Sequence, residues 1–212
     1  MTQYKVLLFD MDGTIAETDQ MIIHSMLDLY DLYNKEGKKT PEEIIYFSGP
    51  PIAETLKREF PNMDNDFMVQ QFLDISTKYY DLYTEVFPHE IRVLKALKKA
   101  GYKMAVVTNK GHQKAEYVLK LLKLEKYFDF VIGNGDIKTL KPSPEGINEA
   151  MRRFNVKKEE TLYLGDNDID YITATNAGVD SLICAWGPRE LTVLDKCKYQ
   201  ANSYLDIERI LL

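Results

Sequence analysis

Hydrophobic positions along this chain fall into two alternating kinds of segment. Short apolar runs at residues 5–9, 104–108, 130–132, 161–165 and 181–185 are rich in β-branched, aromatic and leucine residues. Unbroken apolar runs of this length suit strands buried on both faces of a parallel sheet. Between most of them, apolar residues recur at helical spacing. Ile91, Leu94 and Leu97 share a face over 90–100, with Gly101 as the stop. Further helices are predicted over 113–122, over 144–154 with Ile147, Ala150, Met151 and Phe154 together, and over 168–177, ended by Gly178. A last helix begins near Ser203, with Asp206 as a capping-box-like partner. Strands alternating with helices imply an α/β fold, an open parallel sheet with right-handed crossovers.

Residues 17–86 break this rhythm and contain no strand pattern. They read as helices over 21–33, 41–47, 52–60 and 64–86. Thr40-Pro41-Glu42-Glu43 is a helix start, with a cap hydroxyl, proline at the first position and an acid at the third. In the long fourth helix Met68, Phe72, Ile75, Tyr79, Leu82 and Val86 fall along one stripe. The expected organisation is an α/β core of residues 1–16 and 87–212 with a helical cap, 17–86, inserted after the first strand. The crossings lie near 16–18 and at Phe87-Pro88.

The 212 residues suit one core plus a smaller module, and 45% hydrophobic content is enough to bury it. A net charge of −6 argues against non-specific nucleic-acid or anionic-membrane binding. A small anionic substrate is still compatible, provided a few placed cations, amides or a metal receive it. Cys184 and Cys197 form no disulfide framework, and no basic stretch followed by an apolar one opens the chain. A cytoplasmic protein, monomer or homodimer, acting on a small phosphorylated metabolite is expected.

Ligands of open parallel sheets bind at the carboxyl ends of the strands. There the chain carries Asp10-Met11-Asp12-Gly13-Thr14, Thr108-Asn109-Lys110 and Gly165-Asp166-Asn167-Asp168-Ile169-Asp170, and Lys141 sits before the third core helix. Asp10 and Asp12, two apart, would face one way on a regular strand, and carboxylates so placed repel unless a cation neutralises them. An oxygen-only cluster with no histidine or sulfur suits Mg²⁺ rather than zinc. Asp10 can then attack phosphorus, and Asp12 can protonate the leaving oxygen and afterwards deprotonate water. Lys141, Thr108 and amides near Asn109 can hold the phosphoryl oxygens. Taken alone, Thr108-Asn109 also reads as a cap for the following helix.

These four clusters, in this order, resemble the four signatures of the haloacid dehalogenase superfamily, and within it the phosphoglycolate phosphatase-like group. The resemblance covers essentially the whole chain, including the helical cap. It implies Asp10 as nucleophile and magnesium ligand, and Asp12 as general acid/base that lends its backbone carbonyl to the metal. It implies Thr108, Asn109 and Lys141 around the phosphoryl group, Asp166 on the metal and Asp170 in support. Ser48, Gly49 and Pro50 in the cap, and Lys110, are candidates for selecting the substrate. Glu17-Thr18, where many relatives carry Asp-Ser, departs from the pattern away from the core chemistry. A phosphomutase of the same superfamily and a receiver-like phospho-acceptor are the alternatives. Gly165-Asp166 disfavours the first, because such mutases tend to carry two adjacent acids there. The cap and the Asp10–Asp12 spacing disfavour the second.

Overall fold

The computed structural model describes residues 4–212. Its strands are β1 (Val6–Phe9), β2 (Lys103–Gly111), β3 (Phe130–Asn134), β4 (Thr161–Gly165), β5 (Asp180–Cys184) and β6 (Tyr199–Ala201). All pair in parallel in the order β3-β2-β1-β4-β5-β6. The chain fills one side of β1 and then crosses to the other, so the order reverses between β1 and β4. That reversal opens a crevice at their carboxyl ends.

Side chains alternate across the central strands, and each face is buried. Leu7, Phe9, Val106 and Leu164 meet α5 (Glu90–Lys99), α6 (His112–Leu121) and α9 (Tyr204–Leu211) on one face. Val6, Leu8, Val107 and Tyr163 meet α7 (Glu145–Phe154) and α8 (Asp168–Ala177) on the other. The sixth strand is absent from the apolar pattern. Tyr199-Gln200-Ala201 is only three residues long, with an exposed amide in the middle, so it has no run to detect.

Between β1 and α5 lie α1 (Asp19–Tyr33), α2 (Pro41–Ile44), α3 (Ile52–Glu59) and α4 (Asn65–Tyr83). The predicted start at Thr40 forms: its hydroxyl accepts the Glu43 N–H, and the Glu43 carboxylate accepts the Thr40 N–H at 2.9 Å. Helix α4 stops earlier than expected because Thr84 turns extended, which lets Glu85 pair with Glu17 through two backbone hydrogen bonds of 2.9 and 3.2 Å. Its buried face also differs from the predicted stripe. Met68, Phe72, Ser76 and Tyr80, a row four residues apart, are buried, whereas Leu82 is 65% exposed. Tyr79 and Tyr83 of α4 pack on each other and on His24 of α1, whose ring stacks on Tyr83 at 4.6 Å. Ser203 caps α9 without a hydrogen bond to its backbone, and Asp206 instead receives the Asn202 N–H. No described helix is long and apolar enough to cross a membrane.

Candidate active site

Strand β1 ends at Phe9, so the alternation expected to align Asp10 with Asp12 does not extend to them. The Asp10 N–H is pinned to the Leu164 carbonyl at 2.8 Å, which fixes this residue at the β1–β4 crevice. The chain then turns sharply, with the N–H groups of Ile15 and Ala16 both donating to the Met11 carbonyl. Gly13 is required twice over. Its φ is +81°, and a Cβ there would lie 2.1 Å from an Asp166 carboxylate oxygen.

The two aspartates of the first loop meet different cations. Asp10 is buried, with Lys141 Nζ 2.8 Å from its Oδ1. The contact is an ion pair without hydrogen-bond alignment, so Oδ1 keeps no hydrogen-bond partner. Burial, partly countered by Lys141 and reinforced by Asp170, pushes the Asp10 carboxyl up to about 6. Asp12 instead accepts Lys110 Nζ at 2.7 and 2.6 Å on its two oxygens, and the Thr18 hydroxyl at 2.8 Å. Burial alone would lower the Lys110 pKa, but Asp12 and Tyr80 outweigh it and the ammonium is held charged.

Lys141 is buried between Asp10 and Asp170, 2.6 Å from Asp170 Oδ1. Burial would neutralise it, yet the two carboxylates raise its pKa well above normal. Asp170 is set by α8: its Oδ2 accepts the Asn167 N–H at 3.0 Å in a reciprocal cap with Asn167. Asp166, at the tip of β4, accepts the Thr14 hydroxyl at 3.2 Å on one oxygen and Arg189 at 2.8 Å on the other. Its pKa is raised well above normal, by burial first, against the pull of Arg189.

Asp10, Asp166 and Asp170 present oxygens within 4.8 Å of one another. The buried cations facing them are Lys141 and Arg189, and Arg189 is shared with Asp19. Negative charge is therefore left over in an all-oxygen donor set, and within Asp10 the buried Oδ1 is ion-paired but accepts no hydrogen bond. These residues fit a hard divalent cation such as Mg²⁺. The Asp12 carboxylate lies outside this cluster.

The remaining sequence candidates converge on the same rim in different ways. Thr108, buried near the end of β2, lines a cavity of about 250 Å³ together with Asp10, Asp12, Asn109 and Lys110. Thr108-Asn109 does not cap α6; Gly111 occupies that position. The Asn109 side chain works as a strut, accepting the Lys141 N–H at 2.7 Å and donating to the Gly49 carbonyl at 3.1 Å. Ser48, Gly49 and Pro50 line the far wall. The Ser48 carbonyl accepts from Asn167, and its buried hydroxyl has no partner.

Arg189 escaped the sequence reading. It follows β5 on the same rim, three residues beyond Trp186, whose indole N–H donates to the Gly13 carbonyl at 2.9 Å. Its one cue in the sequence is its place in the loop after β5, on the same rim as the loops after β1, β2 and β4.

Residues 7–184 match the family of haloacid dehalogenase-like hydrolases. The "Putative pyrophosphatase PpaX" of Caldanaerobacter subterraneus is 38% identical over 196 residues, covering 91% of this chain and 88% of that protein. The pyrophosphatase PpaX of Halalkalibacterium halodurans is 33% identical, covering 88% and 86%. The fold superposes with a TM-score of 0.89 on a crystal structure of a "predicted phosphoglycolate phosphatase" from Haemophilus somnus, 21% identical, with each chain covered in full. With a family match across most of its length and relatives above 30% identity, this chain belongs to the haloacid dehalogenase-like hydrolases.

Proposed function

We propose that this chain is a magnesium-dependent phosphatase in which Asp10 attacks the phosphorus of a small phosphate monoester or of pyrophosphate. The observation that carries this is the buried meeting of Asp10, Asp166, Asp170 and Lys141 at the tips of β1 and β4, where a cavity opens over Asp10. Asp10 and Asp166 would hold the metal, with Asp170 in support and, as the resemblance implies, the Asp12 main-chain carbonyl. Bound magnesium would offset the charge of the carboxylates and of the phosphoryl oxygens, so that two anions can meet.

The protein's own groups do the rest. Lys141 keeps Asp10 ionised near neutral pH and offers its ammonium to a phosphoryl oxygen, and the Thr108 hydroxyl offers a second donor. As the Asp10 carboxylate oxygen bonds to phosphorus, the bond to the leaving oxygen breaks, and that oxygen takes a proton from Asp12. Asp12, now a base, removes a proton from water as the water attacks the aspartyl-phosphate. Phosphate leaves and Asp10 is regenerated. The helical cap, residues 17–86, closes the far side of the cavity and shields the intermediate. Two free thiols, Cys184 and Cys197, are compatible with a reducing cytoplasm.

The PpaX relatives favour pyrophosphate as the substrate. The test is Asp10→Asn with p-nitrophenyl phosphate and with pyrophosphate in Mg²⁺. Turnover is expected to fall at least about a thousandfold with the fold intact by circular dichroism. A variant within tenfold of wild type refutes the nucleophile assignment.

A further inference from the structure

Beyond the reacting centre, one wall of the cavity carries two ammonium groups, of which one is paired with a carboxylate. Lys110 and Lys114 both line it, at the end of β2 and in the first turn of α6. Their ammonium groups lie over the same ring, 5.2 and 4.6 Å from the centre of Tyr80. Lys110 is paired with Asp12, but Lys114 makes no salt bridge among the described residues. Asp81, the carboxylate whose field reaches Lys114, already accepts the Tyr117 hydroxyl. Partial burial and then the neighbouring Lys110 charge lower the Lys114 pKa, as expected of two cations crowded on one aromatic face.

Other features of the cavity point the same way. Gly111, which caps α6 without any side-chain hydrogen bond, belongs to the charged wall and adds the positive end of a helix to it. The Ser48 hydroxyl is buried and unpartnered, and Ser48 lines the cavity together with the apolar Phe47, Pro50 and Ile52. Apolar walls keep water from screening the ammonium groups. A lysine with an ordinary surface role would extend into solvent; this one is half-buried and lacks a counter-ion.

The geometry points to Lys114, with Lys110 and Tyr80, as a subsite for a compact anionic leaving group, either a second phosphoryl group or a carboxylate. This assignment rests on the proposed phosphatase reading. It places the second anion beside Asp12, on the leaving-group side of the phosphorus under attack. An anion there competes with Asp12 for Lys110.

The test uses the full chain and the variants Lys114→Met and Lys114→Arg. Rates are measured with pyrophosphate, with 2-phosphoglycolate and with p-nitrophenyl phosphate, whose leaving group has no second anion in reach. The ratio of kcat/KM for an anionic-leaving-group substrate to that for p-nitrophenyl phosphate is expected to fall at least tenfold in Lys114→Met, chiefly through KM. Lys114→Arg should hold it within about threefold. Whichever of pyrophosphate and 2-phosphoglycolate shows the drop identifies the second anion. Unchanged ratios for both overturn the subsite. Calorimetric binding of methylenediphosphonate, a diphosphate analogue that is not cleaved, separates the two readings. Tenfold weaker binding to Lys114→Met, from a wild type that turns over nothing, upholds the subsite and sinks the hydrolase. Equal binding by both proteins, with unchanged ratios, removes the subsite and leaves the hydrolase standing.

Discussion

Removing Arg189 should destabilise this protein far more in chelator than in magnesium. Its guanidinium is 3% exposed and spans Asp166 at 2.8 Å, Asp19 and the Ile45 carbonyl at 3.1 Å. Methionine in its place preserves much of the volume but leaves two buried carboxylates without their cation. Breaking a buried pair from one side costs about 3–5 kcal/mol. Protonation of Asp166 relieves part of this, since burial already holds its pKa well above normal even with Arg189 present, so the low end applies. Arg189 also competes with a bound cation for Asp166. Without it, the carboxylate cluster is more negative and Mg²⁺ binds the folded state more tightly. In saturating Mg²⁺ the gap between Arg189→Met and wild type changes by RT times the logarithm of the ratio of their Kd values, so about fivefold tighter binding by the variant narrows it by about 1 kcal/mol. Urea unfolding with and without chelator measures it, followed by the fluorescence of Trp186, the chain's one tryptophan. A deficit below about 1 kcal/mol in chelator, or the same deficit in both buffers, refutes the argument.

Two further substitutions test the loops around the site. Gly13→Ala would force a Cβ into Asp166 at a φ of +81°. The conformation alone costs about 1–2 kcal/mol, and displacing Asp166 should weaken Mg²⁺ binding, read by calorimetry; an unchanged affinity counts against Asp166 as a ligand. Glu90, wholly buried, has one oxygen without a partner, and burial raises its pKa well above normal. The unfolded chain loses this proton near the ordinary glutamate value of about 4.3, before the folded protein does. Stability from this group is therefore lost as pH rises from there through the folded pKa. Glu90→Gln should flatten the decline in urea midpoint across that window; parallel slopes for both proteins would contradict the assignment.

The strand-end rule made Asp10, Thr108 and Asp166 legible because each follows a run of buried apolar residues, and a run of that kind fixes where a strand stops. Lys141 follows no apolar run, so only its order along the chain and the resemblance single it out; the structure sets it between Asp10 and Asp170. Arg189 and Lys114 were not legible. Arg189 reaches Asp19 across 170 residues of chain from a loop without periodicity, and Lys114 lies over Tyr117 of its own helix and over Tyr80, which α4 contributes from a distant part of the chain. The role of Asn109 was hidden for a similar reason: its amide holds Lys141 and Gly49, residues distant in sequence that only folding brings beside it. On α4 the composition gave the helix but not its rotation, because Tyr79 and Tyr80, or Ile75 and Ser76, compete for the inward positions until α1 selects the row.

The paired backbones of Glu17 and Glu85 put the way into the helical insert and the way out of it side by side. To the rest of the chain, those 67 intervening residues (18–84) are a detour that returns to its starting point. A short turn could bridge the same gap, at little entropic cost to the sheet. Length can therefore change inside the insert without re-registering a strand, while Asp19 and Ile45 on Arg189 and Gly49 on Asn109 tie its near end to the rim of the sheet.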